Sequence, residues 1–117
     1  MAQIEIPSQW RTKVCAILAT EETGTRIRWT GDAQKRYQAV PGCLWTYEVY
    51  QSFRDYLEKD HATGCRCTME NPPGETYEFF FQFKGRRLYG KILLKTDHKS
   101  VVIFSAHLPN KSKLSCE

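Results

Sequence analysis

At 117 residues, 41% of them hydrophobic and 13% aromatic, the chain has apolar surface for one core and too little length for two, which predicts a single domain over 1–117. Six Tyr, six Phe and three Trp exclude a disordered chain, because aromatic burial offsets the entropy of ordering. The net charge of +4 is uneven: residues 1–83 carry nine Lys or Arg against eleven Asp or Glu, whereas residues 84–117 carry eight against two, so the C-terminal third attracts polyanions or an acidic protein.

Pro7 suits the first turn of a helix, where its missing N–H is not needed, and Trp10, Val14, Ile17 and Leu18 recur at helical spacing, predicting a helix over about 8–20. Glu21-Glu22-Thr23-Gly24 ends it, with Gly24 free to take left-handed geometry. Arg26-Ile27-Arg28-Trp29 alternates like a short strand, while Thr30 equally caps a short helix through Gln38 with Asp32 in its first turn. Pro41-Gly42 breaks the pattern. Thr46, Val49, Tyr50, Phe53 and Leu57 then mark the clearest apolar stripe, with Arg54, Asp55, Glu58 and Lys59 mostly outside it, so helices occupy about 8–60. Tyr50 and Tyr56 read as core-edge aromatics, and His61 as an ordinary residue near a helix end.

Asn71-Pro72-Pro73-Gly74 makes a turn, after which the period changes to two. Strands are expected over 76–83, 87–95 and 101–107, joined at Lys84-Gly85 and Asp97-His98-Lys99 and followed by a short basic tail, 108–117. The fold class is therefore α+β, with N-terminal helices covering one face of an antiparallel meander.

Five cysteines, an odd number without a framework spacing, read as free thiols in a reducing cytosol, so a cytoplasmic protein is expected. Cys65-Arg66-Cys67 is closer than a zinc ligand pair and has no second pair, so neither metal nor cofactor is expected. Gln9, Arg11, Thr12 and Lys13 interrupt the first 20 residues, which argues against a signal peptide, a membrane span or a membrane partner.

Alternation puts Arg87, Tyr89, Lys91 and Leu93 on one face of their strand, and groups Val101, Ile103, Ser105 and His107 on the next. Arg86, Arg87 and Lys91 are suited to phosphate, and His107 to proton exchange near neutral pH, with Tyr89 and Glu78 beside it as further candidates. Metal-free RNA cleavage needs those functions: a base for the 2′-hydroxyl, charge for the pentacoordinate phosphate and an acid for the leaving 5′ oxygen. The same residues equally suit a module that holds single-stranded nucleic acid without cutting it, or a regulatory protein that binds an acidic partner.

The segments Cys67-Thr68-Met69, Tyr77-Glu78-Phe79-Phe80, Leu88-Tyr89-Gly90-Lys91 and Val102-Ile103-Phe104-Ser105-Ala106-His107 resemble, in order, the MqsR-type branch of the RelE-like bacterial toxins over about residues 25–107. The resemblance implies a RelE-like fold and metal-independent cleavage of single-stranded mRNA, on the ribosome or free, with a cognate antitoxin as protein partner. It assigns the family's catalytic tyrosine to Tyr89, its last-strand lysine to His107, its glutamine to Glu78 and a basic position to Cys67 or Arg66. Three of these depart in residue type, and a carboxylate at Glu78 repels phosphate unless it is protonated or paired. Arg66, Lys84, Arg86, Arg87 and Lys91 are the expected nucleic-acid contacts and His107, Tyr89 and Glu78 the expected catalytic groups.

Overall fold

The computed structural model describes residues 2–69 and 72–117, so Asn71 of the expected turn lies outside the described residues. Its elements run β1 (Ile4–Glu5), α1 (Ser8–Thr20), β2 (Ile27–Trp29), α2 (Gly31–Gln38), α3 (Thr46–Leu57), β3 (Thr63–Cys67), β4 (Gly74–Phe83), β5 (Arg86–Lys95) and β6 (Val101–His107). The sheet order is β1-β3-β4-β5-β6-β2. This is a small α+β domain in which three helices accompany a mixed sheet: β4, β5 and β6 form the expected antiparallel meander, but β2 lies parallel to β6.

The two alternatives for residues 26–38 both form. Ile27–Trp29 is the parallel edge strand, and Thr30 caps the following helix by accepting from the Ala33 amide at 3.1 Å. The end of α1 differs from expectation: Glu21 takes the left-handed cap at φ 56°, while Gly24, at φ 94°, turns the chain towards β2. In α3 Val49, Tyr50, Phe53 and Leu57 are buried, but Thr46 of the expected stripe is exposed in the first turn. At Lys84-Gly85 both residues have positive φ, 50° and 79°, the left-handed pair that a two-residue hairpin favours.

One face of the sheet carries the core. Tyr77, Phe79, Phe81 and Phe83 alternate inward on β4, where Phe53 of α3 packs against Phe79 and Phe81 with ring centroids 5.8 and 4.5 Å away, and Trp10 of α1 meets Tyr77 at 5.0 Å. Gly90 of β5 sits beneath these rings, where a Cβ would lie 2.8 Å from Phe53. Arg11 ties the helices to the sheet edge by donating to the carbonyls of Ile6, Leu57 and Lys59.

The cysteine expectation is corrected. Cys65 on β3 and Cys116 near the C-terminus, 51 residues apart, form a disulfide with 5.7 Å between their Cα atoms, while Cys15, Cys43 and Cys67 are free. The tail turns back along β3, a proximity that spacing alone does not encode. No helix among the described residues is long and apolar enough to cross a membrane.

Candidate functional site

The sheet face opposite α1 and α3 takes the other half of each strand's alternation. Across β4 and β5 the register sets Glu78 opposite Lys91, Phe80 opposite Tyr89 and Gln82 opposite Arg87, and β6 adds His107 opposite Tyr89 and Ser105 opposite Lys91. Glu78, Tyr89, Lys91, Arg87 and His107 therefore share one face.

His107 reaches it through a bulge. Lys91 pairs with Ser105 but Ile92 with Ile103, leaving Phe104 as an extra residue on β6. Val101 and Ile103 consequently join the helix-side core while Ser105 and His107 emerge on the opposite face, which corrects the expectation that all four share one side. A bulge re-aims every later side chain of its strand, and here it delivers the imidazole to Tyr89, with ring centroids 5.4 Å apart.

Glu78, Tyr89, Ser105 and His107 line a cleft of about 670 Å³ together with Arg36 of α2 and the tail residues from Pro109 to Ser115. Glu78 is 4% exposed and engaged on both oxygens: Oε1 accepts the Ser115 amide at 2.6 Å, and Oε2 accepts the Tyr89 hydroxyl. Burial raises the Glu78 carboxyl, but hydrogen bonds from Ser115, Tyr89 and Cys67 together outweigh it and hold the group below the usual carboxylate range. Tyr89 is driven the other way: burial, then the bond to Glu78 and its charge, push the phenol far above its ordinary value, so it stays a protonated donor. Burial and the neighbouring Glu78 charge likewise raise the Cys67 thiol to about 11.

His107 is fixed at both nitrogens. Nδ1 lies 2.7 Å from the Leu108 carbonyl, which can only accept, and Nε2 lies 3.2 Å from Arg36 Nη1, which can only donate, so Nε2 faces Arg36 in the cleft. Beside this group, the Arg87 guanidinium lies 4.1 Å over the Phe80 ring, and Phe80 meets Tyr89 edge-on at 6.4 Å. Phe80, Tyr89 and His107 form a row of rings across three strands with cations around it, an arrangement on which unpaired bases stack.

Three expected nucleic-acid contacts lie elsewhere. Arg66 pairs with Tyr77 across β3 and β4 and so follows the helix-side alternation, as does Arg86, which pairs with Phe83. Lys84 holds the loop before α3, ion-paired with Glu48 at 2.8 Å and donating to the Gly42 carbonyl at 2.7 Å. Sequence reasoning missed Arg36, Phe80 and Ser115. Phe80 was within reach, since it shares the parity of Glu78; Arg36 and Ser115 depend on tertiary docking that no local pattern records. Comparison with known proteins finds no family model, no curated sequence and no solved structure that matches the chain.

Proposed function

We propose that the chain is a metal-independent endoribonuclease that cleaves single-stranded mRNA, as its resemblance to the RelE-like toxins implies. The observation that carries the reading is the convergence of Tyr89, His107, Glu78 and Arg36 in one cleft on the face where Lys91 and Arg87 also lie.

In this reading bases stack along Phe80 and Tyr89, and the scissile phosphate sits between Tyr89 and His107. Arg36 leaves the imidazole for the phosphate, exposing Nε2 to take the proton of the 2′-hydroxyl. The 2′ oxygen bonds to phosphorus while the bond from phosphorus to the 5′ oxygen breaks, and Lys91 protonates the departing oxygen. Tyr89, held as a neutral donor by Glu78, hydrogen-bonds a non-bridging oxygen, and Arg36 and Arg87 offset the added charge. The products are a 2′,3′-cyclic phosphate and a 5′-hydroxyl. A cognate antitoxin would be the protein partner.

Labelled single-stranded RNA, incubated in chelator with and without ribosomes and with and without a thiol reductant, tests the reading. His107→Gln and Tyr89→Phe should lower the cleavage rate by roughly 100-fold or more while still melting cooperatively as folded proteins, because a positioned proton-transfer group contributes on the order of 10²–10⁴. Arg66→Ala, on the other face, should leave it intact. Equal cleavage by wild type and both site variants would refute the assignment. Salt-sensitive RNA binding without product from well-folded wild type would leave a binding module in its place.

A further inference from the structure

We propose that the Cys65–Cys116 disulfide is a redox latch that closes the candidate cleft, so that reduction releases the C-terminal segment and opens the site; as a statement about regulation, this rests on the function proposed above.

The tail has no helix or strand, and its residues from Asn110 to Lys113 are exposed while lining the cleft wall. Its attachments to the rest of the protein are concentrated at one end. Leu114 is buried, the Ser115 amide donates to Glu78 Oε1 at 2.6 Å, and Cys116 is bonded to Cys65. These anchors are mutually dependent. Cys65 is the cross-strand partner of Glu78, so the covalent bond on β3 sets the Ser115 amide against the carboxylate of β4. Without that bond, one apolar side chain, the hydrogen bonds of Ser115 with Glu78 and a side-chain bond from Gln3 to Glu117 remain to order the segment, against the conformational freedom it regains.

The reductant has one point of attack. Cys65 is 1% exposed, whereas Cys116 is half-buried. A thiolate of a dithiol attacks the Cys116 sulfur, the disulfide breaks, and Cys65 leaves as a thiolate that takes a proton. The second thiol of the reductant then displaces Cys116 from the mixed disulfide, which takes a proton in turn. Two electrons and two protons pass to the protein, and the dithiol becomes a cyclic disulfide. The raised Cys67 thiol, hydrogen-bonded to Glu78, is a poor competing nucleophile in this exchange. Freed of the Ser115 amide, Glu78 keeps Tyr89 as its partner, and the wall formed by the tail leaves the cleft.

The test is hydrogen exchange on the full chain, oxidised and after dithiothreitol, with RNA cleavage measured on the same samples. Reduction should speed exchange of the Ser115 and Cys116 amides by on the order of 100-fold, the scale of a disulfide's contribution, with β4 and β5 amides unchanged. Cleavage should rise by about 10-fold or more, and Cys116→Ser should match the reduced protein with or without reductant. Unchanged protection of the tail on reduction overturns the latch, and so does loss of protection throughout β4 and β5, which would make the bond a structural staple. Tail release with equal cleavage in both states overturns the gating. Tail release with no cleavage in either state supports the latch as a conformational device and refutes the nuclease instead.

Discussion

Gly90 holds the two faces of the sheet in register: Tyr89 and Lys91 flank it on the open side, and Phe53, Phe79 and Phe81 close over it on the other. In Gly90→Ala the new Cβ would fall 2.8 Å from Phe53, 3.0 Å from Phe81 and 3.1 Å from Phe79. Phe53 is fully buried, and interiors are close-packed, so making room for the new Cβ shifts the helix or the strand by several tenths of an ångström. Overpacking of this kind costs about 1–3 kcal/mol, and the entropy removed from the unfolded chain returns about 0.4–1, so a net loss centred on about 1.3 kcal/mol, within about 0–2.6, is expected. The central value corresponds to a fall in Tm of roughly 4–10 °C for a chain of this size. Denaturant melts of Gly90→Ala, Phe53→Leu and the double variant, all oxidised, check the cause. Leucine lacks the Cε1 atom that collides, so the double variant should be more stable than the sum of the single losses predicts, by about 0.5–1.5 kcal/mol. Additive losses would show that the rings do not press on Gly90 and would refute the packing argument.

Three further outcomes follow from individual contacts. Thr30→Ala should cost about 1 kcal/mol by denaturant melt through loss of the cap on the Ala33 amide, and Thr30→Asn should restore most of it. Arg11→Met keeps the aliphatic stem but removes the donors to Ile6, Leu57 and Lys59, and should cost about 2–3 kcal/mol; a loss within error of zero would show that those carbonyls are satisfied otherwise. Glu78 has a folded pKa below its ordinary 4.5, so its stabilisation is present above about pH 4.5 and is lost as pH falls through the folded value. Glu78→Gln should therefore be less stable than wild type at neutral pH, with the two converging in acid; parallel pH profiles would contradict the pairing of that carboxylate.

The long elements were legible because each combines one apolar stripe with a terminator. Trp10, Val14, Ile17 and Leu18 define α1, and the run from Tyr77 to Phe83 alternates visibly. Thr63–Cys67 was not legible as a strand. Its residues are small or polar, and its identity comes from pairing with β4 and with the two-residue β1. Residues 26–38 offered a strand and a helix as rivals, and the chain makes both in succession because Thr30 can end one and cap the other. The candidate site was legible in composition but not in geometry. Tyr89 and Lys91 could be assigned to one face from period two alone, whereas His107 shares it only because Phe104 is bulged, and a bulge leaves no mark in an alternating apolar run. Charge alone does not record that Lys84, which has the sign of a phosphate ligand, is ion-paired with Glu48. Cysteine counting misled because Cys116 reaches β3 only when the tail folds back.

Cleavage through the 2′-hydroxyl is the central claim, and the sugar itself is its most direct test. Reduced wild-type protein is given a labelled single-stranded RNA and the same sequence with every 2′-hydroxyl replaced by hydrogen, and both binding and product ends are measured. The account predicts that both strands bind, with salt-sensitive affinities of the same order, and that the RNA alone is cut, to fragments ending in a 2′,3′-cyclic phosphate and a 5′-hydroxyl. Cutting of the deoxy strand, or RNA fragments ending in a 3′-hydroxyl, would contradict it.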